Sequence, residues 1–97
     1  MTTTANIPDP AERVVANFLR EDGSLHTIPR KHTKRLAVLD HVAQSFEPGR
    51  TYPEQEVTTI LVRFHPDHAA LRRYLVDEGF LTREGGVYWR SGGTYSV

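Results

Sequence analysis

The 97-residue chain carries twelve Lys and Arg against twelve Asp and Glu, a formal net charge of zero. A chain of this length makes one domain that buries about two-thirds of its unfolded surface, with no room for a second core. Its balanced charge sets up no overall field toward nucleic acid or an anionic membrane, so any electrostatic function must be local. Without cysteine there is no disulfide, thiolate nucleophile or Cys-type zinc site, which fits a reducing compartment. Met1 to Pro10 is polar and Thr-rich, unlike a secretory signal, and no apolar run approaches the roughly 20 residues of a membrane-spanning helix. A cytoplasmic location is expected, with no membrane partner.

Taken in order, residues 1–9 have the small polar composition of a loose end, and a helix opens at Pro10 and runs to about Arg20. Proline suits an early helical position, and Glu12 suits the first turn, where the helix dipole favours an anion. Val14, Val15, Phe18 and Leu19 give this helix one apolar stripe. Leu25 alternating with His26, Thr27 and Ile28 predicts a short strand stopped by Pro29. Leu36, Leu39, Val42, Ala43 and Phe46 recur at three- and four-residue spacing and predict a helix over 31–46, closed by Pro48-Gly49. Tyr52-Pro53-Glu54-Gln55-Glu56 reads as the start of the next helix, with Val57, Ile60, Leu61 and Phe64 as its buried face.

His65-Pro66-Asp67 breaks that pattern, and Asp67 is a good N-cap for a further helix to Glu78 with Leu71, Tyr74 and Leu75 inward. Gly79 stands where a left-handed C-terminal residue is wanted. Phe80 to Arg83 and Val87 to Arg90 flank Glu84-Gly85-Gly86, a hairpin signal, because primed turns need positive φ. Ser91 to Val97 reads as a loose tail. The expected fold class is α+β: one winged helix-turn-helix-like domain over 10–90, with four helices, a short N-terminal strand and a C-terminal β-hairpin.

In that geometry the helix 67–78 is the one offered to the major groove, and the hairpin is a wing beside the phosphates. On a wheel centred on Leu71, the outward positions are Ala69, Arg72, Arg73, Val76 and Asp77. Arg72 and Arg73 suit guanine or phosphate, and Ala69 and Val76 suit thymine methyls; alternatively, the arginines form a solvated face offset by Asp77 and Glu78. Arg30, Lys31, Lys34 and Arg35 crowd a helix start, where each exposed cation costs roughly 0.3 to 1 kcal/mol against the dipole. That placement makes sense if an anion rests there; a solubilising basic turn, with Thr33 capping a later helix start, is the other reading.

A two-residue Gly85-Gly86 turn puts Arg83, Tyr88 and Arg90 on one hairpin face and Phe80, Thr82, Val87 and Trp89 on the other. The first face suits phosphate contact and the second a core seal; otherwise Arg83 and Arg90 only keep an edge strand soluble. His65 and His68 fall short of the three or four ligands that zinc requires, so no metal is expected. Glu54 and Glu56 are explained by helix capping. Neither a Gly-rich phosphate loop nor a Ser-His-Asp order is present, and neither an enzyme nor a cofactor is expected.

Read as one string, residues 29–90 resemble a bacterial family called domain of unknown function 2087. The resemblance is carried by Pro29, Lys31 and Lys34-Arg35-Leu36; by Phe46-Glu47-Pro48-Gly49; and by Tyr52, Glu54, Glu56-Val57 and Ile60-Leu61. It continues through Asp67, Leu71-Arg72-Arg73, Leu75-Val76-Asp77, Gly79, Leu81, Arg83, Gly86 and Tyr88-Trp89-Arg90. It covers about two-thirds of the chain and implies a helical domain with a wing, found alone or attached to bacterial transcription regulators, with no established activity. Thr58 and Tyr74 depart from the pattern, standing in place of an Asn and an acid.

The resulting expectation is a winged-helix module for double-stranded DNA in bacterial transcription regulation. Arg72 and Arg73 would lie in the major groove, Arg83 and Arg90 at the wing, and Lys31, Lys34 and Arg35 on flanking phosphates. Seven such contacts set a slope of log K against log salt no steeper than about minus six. The alternative, motivated by the zero net charge, is a protein-interaction or homodimerisation module of the same shape.

Overall fold

Helix α1 (Pro10–Phe18) opens the part of the chain that the computed structural model describes, residues 10–94. The N-terminal segment 1–9 and Tyr95 to Val97 lie outside the described residues. Val15 is the buried residue of α1, and Phe18 and Leu19 pack against the core. The chain then doubles back: Arg20 N donates to Ser24 O at 2.7 Å, and His26 N to Phe18 O at 2.9 Å. Only one β-bridge, Leu19 with Leu25, forms here, so the strand expected over Leu25 to Ile28 does not. The N–H of the buried Leu25 goes instead to Phe64 O, at 2.7 Å. With no second strand alongside, alternation alone cannot build a ladder.

Helix α2 (His32–Ala43) is central. Val38, Leu39, Val42 and Ala43 are fully buried, and the helix packs against both α1 and α4. It ends before Phe46, which still sits in the core with its ring edge-on to Tyr52, centroids 5.0 Å apart.

A three-residue strand, β1 (Thr51–Pro53), precedes helix α3 (Glu54–Val62), in a segment expected to start a helix outright. The strand exists because β3 (Val87–Arg90) lies beside it, pairing Thr51 with Trp89 and Tyr52 with Tyr88. The sheet order is β1-β3-β2, all antiparallel. This leaves Pro53 on an edge strand, where its missing N–H is tolerated. Among the described residues the fold is therefore α+β, with four helices and one three-stranded sheet.

Helix α4 (His68–Asp77) is capped as its sequence predicts: Asp67 Oδ1 accepts the Ala70 N–H at 3.1 Å. At its other end Phe80 N donates to Leu75 O (2.9 Å) and Gly79 N to Val76 O (3.1 Å), the paired bonds of a Schellman stop, with Gly79 at φ +82°. Strand β2 (Leu81–Glu84) then turns into β3 through Gly85 and Gly86, at φ +60° and +82°, a type I′ hairpin.

The two-residue turn does put Arg83, Tyr88 and Arg90 on one face, in register with Leu81. That face is the core face, contrary to expectation. Leu81 and Tyr88 are 1% exposed and Arg90 7%, while Val87 and Trp89 on the other face are half-buried. Arg90 tolerates burial because carbonyl oxygens surround its guanidinium. It donates to Phe46 O (3.3 Å), Gly92 O (3.1 Å) and Thr94 O. Thr94 in turn donates through its N–H and hydroxyl to Asp40, both at 2.7 Å. The described start of the expected loose tail is thus tied to α2. Replacing Arg90 by Ala takes this donor from Phe46 O and Gly92 O, while Thr94 O keeps the Gln44 amide at 2.9 Å, a loss of roughly 1–3 kcal/mol. Arg73→Ala, on the exposed surface, should stay within about 0.5 kcal/mol of the parent. Urea denaturation of the two variants checks the contrast.

Candidate nucleic-acid interface

The Asp67 cap sets the phase of α4, sending Leu71 and Leu75 into the core. Ala69, Arg72, Arg73, Val76 and Asp77 then line a shallow concavity of about 250 Å³, completed by Arg83 and Tyr88 of the hairpin. Three arginines expected to act together, from two separate elements, therefore share one surface with two small apolar side chains.

Their environments differ. Arg72 is half-buried, and its Nη1 donates to Thr58 Oγ1 of α3 at 3.1 Å. Arg73 is exposed, with its guanidinium carbon 5.8 Å from the Tyr74 ring centroid. Arg83 is exposed, lies 3.8 Å from Glu54 Oε1, and extends over the Tyr88 ring at 5.7 Å. An exposed pair at that distance contributes little to stability, so Arg83 can exchange it for another anion. Asp77 and Glu54 put negative charge on the rim, which lowers the local potential below that of a purely basic face.

The start of α2 meets α4 on a different side, at Tyr74 and Glu78, neither of which lines the concavity. His32 Nε2 lies 3.1 Å from Glu78 Oε2, and the Arg35 guanidinium stacks on Tyr74 at 4.6 Å. Arg35 also donates to Arg30 O at 2.9 Å and Pro29 O at 3.4 Å. It therefore clasps the preceding loop to α4 and is not presented as a phosphate contact. Lys31, in the N-cap position with no side-chain cap, and Lys34 are exposed.

Of the seven basic residues expected at a nucleic-acid surface, Arg72, Arg73 and Arg83 converge, while Lys31 and Lys34 are exposed at the start of α2 and do not line the concavity. Arg35 and Arg90 are held by backbone carbonyls; Arg90 in particular is buried and withdrawn from the hairpin surface. Thr58, which anchors Arg72 from α3, and Tyr74, on which Arg35 of α2 stacks, stand out in the sequence only as departures from the family pattern; their roles act across helix-helix contacts that local sequence does not show. His65 has a local duty, its Nδ1 accepting the Asp67 N–H at 3.0 Å.

Burial pushes the Tyr88 phenol above its ordinary value of 10.0, with neighbouring Arg83 opposing and Glu54 reinforcing the shift. Its hydroxyl donates to Glu54 Oε1 at 3.2 Å. A raised phenol favours the protonated folded state, so its stabilisation is complete below pH 10 and is lost as pH rises toward the folded-state value. Tyr88→Phe should therefore flatten the alkaline limb of a stability–pH curve relative to the parent, as thermal melts between neutral pH and pH 11 would show.

Residues 24–90 match the family described as "Uncharacterized protein conserved in bacteria (DUF2087)". No curated protein and no solved structure matches the chain. Among the described residues no helix is long and apolar enough to cross a membrane.

Proposed function

The chain belongs to the uncharacterised bacterial family DUF2087, and we propose that it is a winged-helix module that binds double-stranded DNA in transcription regulation. The observation that carries this reading is the convergence of Arg72, Arg73 and Arg83 around one concavity with Ala69 and Val76. The element order from α2 onward supports it: helix, strand, helix, helix, hairpin. In this reading α3 and α4 are the helix-turn-helix pair, α4 enters the major groove, and the β2–β3 hairpin is the wing. Arginine forks suit guanine edges and phosphates, and the small apolar residues suit thymine methyls. Lys31 and Lys34, exposed at the uncapped start of α2, are the further cations available to phosphate.

With Arg35 and Arg90 committed to the fold, at most five cations are left for phosphate. The slope of log K against log salt should then be no steeper than about minus four to minus five. Fluorescence anisotropy of a labelled duplex of about 25 base pairs, from low to physiological salt, measures it. The double charge reversal Arg73→Glu with Arg83→Glu should abolish binding and leave the melting curve almost unchanged. Absence of binding at low salt would overturn the reading. It would point instead to a protein partner, for which the mixed charge of Arg73, Arg83, Asp77 and Glu54 around the concavity is suited.

A further inference from the structure

The three arginines of the concavity differ in how they are held. Arg73 and Arg83 are exposed, and Arg83's nearest partner is a carboxylate at 3.8 Å. Arg72 is half-buried, and one of its N–H groups is anchored on the Thr58 hydroxyl at 3.1 Å, across the α3–α4 contact. A hydroxyl fixes the plane of the guanidinium without cancelling its charge, and it leaves the remaining N–H donors available. Phosphate binding needs only a cation within reach, whereas reading a base edge needs a planar fork held in a fixed orientation. Ala69 and Val76 flank Arg72 one turn before and one turn after, and line the same concavity.

Resting on the DNA-binding reading above, we infer that Arg72 is the base-reading residue of this module and recognises a guanine. Thr58 is its positioning residue, while Arg73 and Arg83 hold phosphates. The chemistry selected is the pair of acceptors, O6 and N7, that guanine presents in the major groove. A side chain already oriented in the free protein loses less rotamer freedom on binding than one ordered by the DNA. Arg72 is thereby suited to discrimination, and Arg73 and Arg83 to affinity.

The test starts from duplexes selected by the full chain from a pool with a randomised centre, which should enrich a guanine at one fixed position. Replacing that base by 7-deazaguanine removes the N7 acceptor while keeping Watson–Crick pairing and phosphate charge. Binding should weaken about five- to tenfold, with the salt slope unchanged. Thr58→Val, which keeps the shape and loses the hydroxyl, should reduce that difference to less than about twofold, and Thr58→Ser should restore it. Arg73→Gln should do the converse, flattening the salt slope by about one while keeping the preference for guanine.

Salt-sensitive binding with no enriched guanine, or no effect of 7-deazaguanine on the unaltered protein, would overturn the assignment of Arg72 and leave DNA binding standing. Full discrimination by Thr58→Val would overturn the role of Thr58. Absence of any duplex binding at low salt would overturn the underlying reading, and this inference with it.

Discussion

Strand β3 pairs on both edges, with β1 through Thr51 to Pro53 and with β2 through Leu81 to Glu84. Helices α3 and α4 lie in the chain between those two outer strands, so the sheet holds both ends of the helix pair. α3 leaves directly from Pro53, and α4 is stopped at Gly79 and returned into β2 at Leu81. The distance between the arginines of α4 and that of the hairpin is therefore set by backbone hydrogen bonds, not by the flexibility of a loop. Tyr52 and Tyr88, paired across β1 and β3 and both buried, fill the space beneath. Arg90 closes the far end of the same strand by joining it to Phe46 and to the segment bonded to Asp40.

Arginine serves several physical ends in this small chain. Where carbonyl oxygens converge, as around Arg90, the guanidinium is a buried cross-link whose stem packs against the core. Where an aromatic face and a loop carbonyl meet, Arg35 joins two elements by stacking and one good hydrogen bond. Where a neutral hydroxyl is the partner, Arg72 is oriented and keeps its charge. Arg73 and Arg83 project from the surface of α4 and the hairpin, where long-range attraction and salt screening act on them most strongly. The proposed division between base reading and phosphate contact follows from these environments, since all of these side chains carry the same charge.

A net charge of zero and a partly acidic rim set this surface apart from a strongly basic one. Glu54 and Asp77 oppose the arginines locally, and Glu78 faces His32. Under the proposed DNA-binding reading, such a surface would gain little from non-specific attraction, and a larger share of the affinity would come from well-placed contacts.

Much of the fold is legible in the residues themselves, because its signals are local. Helical spacing in α1 to α4, the Asp67 cap, the left-handed stop at Gly79 and the two-glycine turn each depend on interactions within a few residues, and each is found, although α1 and α2 end short of Arg20 and Phe46 and α3 starts only after β1. The grouping of Arg83, Tyr88 and Arg90 on one face follows from the turn by the same logic. Non-local pairing was not legible. β1 exists only because β3 lies beside it, and the alternating residues after Leu25 stay out of a sheet because no strand joins them there. Which hairpin face turns inward was decided by where carbonyl acceptors for Arg90 and helical surface for Leu81 and Tyr88 come together, a matter of tertiary packing. The sequence determined by itself the elements and the basic residues available. Only the tertiary structure sorted those residues into cross-links and surface contacts, because burial and hydrogen-bond partners come from chain segments far apart in sequence.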